Sequence, residues 1–509
     1  MRRGCIFCLS LCLTSFWSQA RAAVPADMDS ITSEQVLTLD EAMLIAEQNS
    51  PTMRKVWLSR ERSRQSLVAQ KASTKARLSL NLDPFKYSNS VNFDDYYSRW
   101  YNYDFLGSSG SLSISQPIVA TNTTLQLSNV FGWQQTTSAY QGTSTDSHSF
   151  KNDLYLSVRQ PLFTYNSQKM TLKQLEMEVE EAEIYFALSR LSLERTVTNL
   201  FYSVYMAQLQ LSISEEELKN TRQSRDMIAD KVEMGMAADM EIYQADLNLS
   251  SAQSGVRNRK VSLENAKIDF KRYIGIELNT PITVTASIEI NDTLQIDEPL
   301  SVQRGLANRM ELREREISLE YQKDYLIQVK DYNDFDASLS LSIGITGNNE
   351  TFRNVYDKPS KSPSVGISLN IPIYDWGERK ARIKAQEASL QSSRIDLESE
   401  QTDIQVEIGE ICRNIGNYKS QIEIERQNRS NAELAYDISL EKYANGDLTA
   451  MDLNLYQTQL SNRRIALLQA QINYKLALLN LKIATLYDVE NQRQVITVNA
   501  NEIASTIQK

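Results

Sequence analysis

The stretch MGMAADMEIYQADL, Met234 to Leu247, is answered 211 residues later by NGDLTAMDLNLYQT, Asn445 to Thr458, so Gly235 and Gly446 occupy equivalent places. RQPLFTYN and NIPIYDWG put Pro161 and Pro372 at the same spacing of 211. Upstream the spacing drifts while the order persists. LTLDEAMLIAEQNSPTMR (Leu37 to Arg54) is answered by LSVQRGLANRMELR (Leu300 to Arg313), and ARLSLNL (Ala76 to Leu82) by ASLSLSI (Ala337 to Ile343). Solenoid periods run to about 50 residues, far short of this one. The chain therefore reads as one large structural unit duplicated, and any fold assigned to it has to be built twice.

Between Pro161 and Gly235 there is neither glycine nor proline, and the segment is rich in Leu, Glu, Gln, Lys and Ala. All five are compatible with helix. One helix from near Lys169 to Glu233, on the order of 100 Å long, is predicted. Leu172, Leu175, Val179, Ala182, Phe186, Leu193, Val197, Leu200, Val204 and Leu211 alternate spacings of three and four in the manner of a coiled-coil seam, with Ser189 as a weak point. Ile184, Leu188, Leu191, Phe201 and Tyr205 lie off that seam, so this helix should pack on two sides. After Gly235 a shorter helix is expected from Met240 to Tyr273. The second half repeats the plan with Arg379 to Tyr443 and Met451 to Tyr487, and Gly416 is expected to bend its longer helix. Each glycine phrase is then the turn of a long antiparallel helical hairpin.

Strands announce themselves by a period of two. Leu339, Leu341, Ile343 and Ile345 alternate with Ser338, Ser340, Ser342 and Gly344, and Val365, Ile367, Leu369 and Ile371 alternate with Ser364, Gly366, Ser368 and Asn370. The first half offers Leu78, Leu80 and Leu82, then Leu154, Leu156 and Val158. A barrel strand with lipid outside and water inside has this signature, as does a half-buried soluble sheet. Four strands are too few to close a membrane barrel, for which about eight are needed, so copies of the chain must assemble. The first strand hairpin also carries an insertion, 83–153, that the second lacks. SLSISQPI and TLQLSNVF within it suggest an extra hairpin, and DPFKYSNSVNFDDYYSRWYNYDF suggests an interfacial aromatic belt or ordered outer loop, with a carbohydrate platform as the alternative. PITVTASIEI (Pro281 to Ile290) and RQVITVNANEI (Arg493 to Ile503) each follow a helical hairpin and suggest a small collar.

Residues 1–22 have the form of a secretory leader, with Arg2 and Arg3 ahead of an apolar run and Ala20 and Ala22 at the cleavage site. Its removal changes 54 basic and 64 acidic side chains to 51 and 64, a formal charge of −13, which disfavours nucleic acid. It also leaves Cys412 as the lone cysteine, so no intramolecular disulfide is possible. No other segment has the roughly 18 uninterrupted apolar residues of a membrane helix, so any passage through lipid must use strands. His148, placed by its neighbours in a Ser/Thr-rich loop, is the single histidine, which rules out a histidine triad or multi-histidine metal site within one chain. Nucleotide and paired-cysteine motifs are absent, and the helical carboxylate pairs such as Glu180 and Glu181 read as solvated faces. The chain reads as no enzyme, with no cofactor and no metal.

In order, spacing and duplication, these segments resemble the TolC-type outer-membrane efflux factors over nearly the whole chain after the leader. The resemblance implies a mainly α fold with membrane β strands: long antiparallel helical hairpins forming an α-barrel tunnel, continuous with a trimeric outer-membrane β-barrel of four strands per chain and twelve in all. It divides the chain into a leader at 1–22, a first repeat at 23–299 with its turn near 235, and a second at 300–509 with a barrel hairpin at 337–373 and a turn near 446. It also implies a homotrimer in outer-membrane lipid, reaching through the periplasm of a Gram-negative cell to a periplasmic adaptor and an inner-membrane pump, and serving as the exit duct for efflux or type I secretion. Family members narrow at the periplasmic helix tips. Asp452 matches the first acidic gate position, Glu241 is its internal counterpart, Tyr443 matches the gate tyrosine, and Asp447 adds charge beside the turn. The second acidic position and a basic one fall on Leu455 and Leu448, so the charged latch is incomplete. Asp452 and Glu241 are read either as a cation-favouring acidic ring or as helix N-terminal acids. Gly235, Met236, Gly446 and Asp447 match the turns that meet the adaptor. A periplasmic coiled-coil adaptor or a structural envelope protein is the alternative, although an adaptor would have one hairpin per chain.

Overall fold

The computed structural model describes residues 35–96, 98–140, 143–288, 290 and 294–495, so the expected leader and the end of the second collar stretch lie outside the described residues. The first half runs β1 (Gln35–Leu37), α1 (Leu39–Asn49), α2 (Pro51–Ser73), β2 (Arg77–Asp94), β3 (Arg99–Ile118), β4 (Thr123–Tyr140), β5 (Thr143–Leu162), α3 (Ser167–Glu233), α4 (Asp239–Ile274) and β6 (Ile282–Val284). The second runs α5 (Glu298–Asn308), α6 (Met310–Asp331), β7 (Asp336–Asn349), β8 (Ser360–Lys361), β9 (Ser364–Asn370), α7 (Glu378–Asn445), α8 (Ala450–Thr485), β10 (Tyr487–Asp488) and β11 (Arg493–Gln494).

Local chemistry sets the helix starts. Thr38 and Glu41 form a reciprocal capping box at α1, Pro51 opens α2, and the Asn166 side chain accepts from the Lys169 amide at 2.9 Å to begin α3. The long helices α3 and α7 have 67 and 68 residues, and α4 and α8 have 36 each. Gly416 does not interrupt α7, because the i to i−4 ladder needs no Cβ and the neighbouring residues hold the helical pattern.

Packing follows the two apolar stripes expected of α3. One buries Leu193, Val197, Phe201 and Val204 against α1, α4 and the β1–β6 pair, and the other buries Ile184 and Leu191 against Met310 and Ile317 of α6. A matching core in the second half gathers Ile404, Ile408, Ile415 and Ile422 of α7 with Tyr474, Leu478 and Leu481 of α8. Two short sheets, β1 with β6 in parallel and β10 with β11 antiparallel, sit where collar strands were expected.

The extra hairpin expected from SLSISQPI and TLQLSNVF is present as β3 and β4, and it corrects the strand count that the resemblance implied. The sheet order is β2-β3-β4-β5-β7-β9, with two-residue β8 beside β7, so one chain supplies six long or medium strands instead of four. Residues 95–142 form the difference. Leu39 corresponds to Glu298 and Arg77 to Asp336, an offset of 259, whereas Ser167 corresponds to Glu378 at 211, and the 48 extra residues equal the length from 95 to 142. His148 lies on β5, opposite Gln135 of β4, and not in a loop. The Ser/Thr run around it lacks apolar alternation, which hid the strand from the sequence pattern.

Candidate functional site

At the far end of the long helices, two turns of the same construction meet. Gly235 (φ 70°) donates its amide to the Val232 carbonyl at 2.9 Å, and Met236 donates to Lys231 at 2.7 Å. Gly446 (φ 85°) donates to Tyr443 at 3.2 Å, and Asp447 to Lys442 at 2.9 Å. Both pairs are the bonds of a Schellman cap, whose left-handed residue favours glycine. Beyond the caps the tips differ. Thr449 accepts from the Asp452 amide at 3.2 Å and donates its hydroxyl to Asp452 Oδ2 at 2.7 Å, whereas Ala238 starts α4 without a side-chain cap. Asp452 thus holds the start of α8, while Glu241 is exposed on the first turn of α4.

Tyr443 is 3% exposed, packed with Ile228, Ala245 and Leu453 between the two tips of the one chain. The Lys231 ammonium donates to the Tyr443 carbonyl at 3.2 Å and lies 4.5 Å from its ring centroid. Burial pushes the Tyr443 phenol above its ordinary range, and the charge of Glu241 adds to the shift. A cleft of about 290 Å³ opens beside it, lined in part by Arg225, Glu241, Asn248, Thr449 and Asn454. Arg225 pairs with Asp246 at 2.8 Å, and Arg464 reaches Glu216 at 3.0 Å to tie the second hairpin to the first.

The structure therefore brings Glu241 and Tyr443 into one neighbourhood, joins Asp452 to a helix cap, and leaves Asp447, Gly235, Met236 and Gly446 exposed at the tip surface. Sequence reasoning missed Lys231 and Arg225, which carry no motif. Met234, Met236, Met240 and Met451 are all exposed at this one end. Spacing around the two turns was the available signal. Among the described residues no group of three or more His, Cys, Asp and Glu could hold a metal ion, and no helix is long and apolar enough to cross a membrane.

At the opposite end, strand register sorts the side chains by face. Leu78, Ile114, Leu127, Leu156 and Ile343 lie in one lateral row across five strands, and Leu80, Leu112, Asn129, Leu154 and Ile345 lie in the next. Many of these apolar side chains are exposed, Leu78 by 66%. The row on the other face is Ser79, Ser113, Ser128, Tyr155 and Gly344. Aromatic groups bracket the apolar band: Phe131, Phe150 and Phe352 cluster at one margin, and Phe163 with Phe335 and Tyr374 with Trp376 pair at the helical margin. A greasy band between aromatic margins is the pattern that lipid selects in a strand wall.

Over residues 44–275 and 301–485 the chain matches the outer membrane efflux protein family. The chain belongs to the outer membrane efflux protein family. It is similar to the outer membrane efflux protein BepC of Brucella suis biovar 1, 21% identical over 58% of this chain and 65% of that one. It is also similar to the alkaline protease secretion protein AprF of Pseudomonas aeruginosa, 22% identical over 48% of this chain and 50% of that one. The chain thus spans less than two thirds of either relative. Its fold matches the outer membrane channel CmeC of Campylobacter jejuni, with a TM-score of 0.68 at 14% identity over 92% of this chain and 89% of that one. It likewise matches VceC of Vibrio cholerae, with a TM-score of 0.64 at 15% identity over 88% of this chain and 95% of that one. As a member of this efflux family the chain is an outer-membrane protein, and the family is one of channels.

Proposed function

We propose that this efflux-family protein is the outer-membrane exit duct of a tripartite efflux or type I secretion system, working as a homotrimer. The observation that carries the reading is the open sheet. Among the described residues β2 pairs on one side with β3 alone and β9 with β7 alone, so the sheet of one chain ends in two unpaired edges beneath an exposed apolar face. In hydrocarbon each unpaired backbone group costs several kcal/mol, so the edges must meet those of other copies. Helices α2, α3, α6 and α7 root this wall in the periplasm and continue the passage, and their lengths, matched to within one residue between the two halves, support an ancient duplication. A periplasmic adaptor meets the turns at Gly235, Met236, Gly446 and Asp447, and an inner-membrane pump supplies the cargo and the energy. Outer-membrane fractions should yield a heat-modifiable, trimer-sized species that co-purifies with adaptor and pump after crosslinking. A water-soluble monomer without affinity for detergent would end this reading.

Three copies of Asp452 and Glu241 form the narrow mouth, where repulsion between carboxylates favours bound cations. The Thr449 bond draws Asp452 toward its helix cap, which supports the competing role. Planar-bilayer conductance separates the two: Asp452→Ala should lower cation preference if the ring selects, whereas unchanged preference with weaker α8 leaves Asp452 as a cap.

A further inference from the structure

We infer that the β3–β4 hairpin is built into the membrane wall, so three chains close an eighteen-strand barrel whose wide, serine-bearing mouth passes hydrophilic cargo broader than an extended polypeptide. The inference rests on the trimeric duct proposed above.

Pairing places the extra strands inside the sheet. β3 bonds to β4 without a register shift from Ile118–Thr123 to Asn102–Ala139, and β4 bonds to β5 from Thr124–Arg159 to Tyr140–Thr143. A flap lying outside the wall would leave β2 beside β5, but here β3 and β4 separate them. The two new strands also keep the sorting of the old ones. Ile114 and Leu127 continue the lipid-facing row from Leu78 to Leu156, while Ser113 and Ser128 continue the opposite row, with Ser79 Oγ and Ser113 Oγ 2.7 Å apart.

The β3–β4 turn is fixed at the level where the helices begin. Asn166, which caps α3, donates to the Val119 carbonyl at 2.6 Å; Gln160 of β5 donates to Thr121 at 2.8 Å; and Gln116 donates to Thr74, the end of α2, at 2.9 Å. A turn held to both helix roots cannot swing out of the wall without breaking all three bonds.

Width follows from spacing. Six strands about 4.8 Å apart and tilted about 40° cover an arc of about 38 Å, four strands about 25 Å, and the four helix roots, about 9 Å apart, about 36 Å. Six strands therefore match the helix ends that carry them. Eighteen strands give about 36 Å between opposite strand axes, against about 24 Å for twelve, and barrels of this larger size keep an aqueous channel. The lumen face presents Ser109, Ser111, Ser113 and Ser340 with Gly132 and Gly366, which add little bulk, while the larger Lys151, Tyr155 and Arg159 project from β5 on the same face. Selection then falls to the helix tips, and the added width of about 12 Å matches the diameter of a helix with its side chains, so the exit takes cargo broader by about one helix than a twelve-strand barrel would.

The test uses the full-length protein in outer membranes, in a Cys412→Ser background with Ser340→Cys on the lumen face and maleimide polymers of graded size added from outside. The full chain should react with polymers about 1.5 times broader than those that reach the same thiol after deletion of residues 95–142. Equal size limits in the two trimers would overturn the inference. A second measurement needs no deletion. A small hydrophilic thiol reagent should label Ser113→Cys and Ser128→Cys but not Ile114→Cys and Leu127→Cys; equal labelling of all four in an inserted trimer would place the hairpin outside the wall. Failure of the full chain to insert or trimerise would instead strike the duct reading itself.

Discussion

Set side by side, the helices of the two halves agree in length to within one residue, while the first half threads four long strands where the second has two and a short β8. The contrast has a physical cause. Each long helix lies against neighbours along its whole length, so an added residue would rotate every later side chain by about 100° and break the seam. A strand hairpin brings its own ladder bonds and its own greasy face, so a wall can accept one between existing strands without disturbing the rest.

Equal length is not equal loading, and the largest effect should come from testing that. Phe201, fully buried and 6.2 Å from the Phe270 ring centroid, corresponds at the offset of 211 to Cys412, which is half-buried. Phe201→Ala should cost about 3–5 kcal/mol, and Cys412→Ala about 1 kcal/mol or less, in thermal unfolding of the solubilised protein. Equal losses would break the contrast between the cores.

The tips offer a finer test. Thr449→Ala should remove about 1 kcal/mol by leaving the Asp452 amide uncapped, while Ala238→Ser at the corresponding place should add about 0.5–1 kcal/mol. Hydrogen exchange at the first turns of α4 and α8 would register both changes, and no difference between them would mean that packing alone holds the tips. Of similar size, Gly446→Ala should cost about 1 kcal/mol because its φ of 85° strains any Cβ. Gly416→Ala, in mid-helix with nothing within 4 Å of the added carbon, should gain about 0.5–1 kcal/mol.

Smallest is a pH effect at a first-half position whose counterpart carries no charge. Burial raises the carboxyl pKa of Glu181, with Glu314, Glu178 and Glu180 adding to the shift and the Tyr321 hydroxyl opposing it; Ser392 stands at the corresponding position. A raised carboxyl pKa makes ionisation unfavourable in the folded state, so the penalty is absent below the unfolded value of about 4.3 and complete above the folded one. Glu181→Gln should therefore raise the melting temperature near pH 7 by a shift worth about 0.5 kcal/mol after solvent screening, and leave it unchanged near pH 4. A gain at both values would trace the effect to packing.

Much of the scaffold was legible because helical periodicity and missing glycine and proline are local signals. The four long helices fall within two residues of their expected ends, at Ser167–Glu233, Asp239–Ile274, Glu378–Asn445 and Ala450–Thr485. The halves of β2 to β5 far from the helices were less legible, since Ser, Thr, Asn and aromatic residues there lose the period of two. The tips were legible as turns through Gly235 and Gly446. The burial of Tyr443 under Lys231 was not, because those residues are 212 apart and nothing in either segment names the other.

Sequence alone determined the duplicated plan, the helix lengths, the apolar seams and the presence of period-two strands, because each follows from the order of side chains along a single element. Tertiary structure decided that β3 and β4 enter the sheet between β2 and β5, that Asp452 joins a cap, and that Tyr443 is enclosed between two hairpins. Those outcomes depend on strand pairing and helix packing between segments far apart in the chain, where free energy is settled by contact and not by sequence neighbourhood.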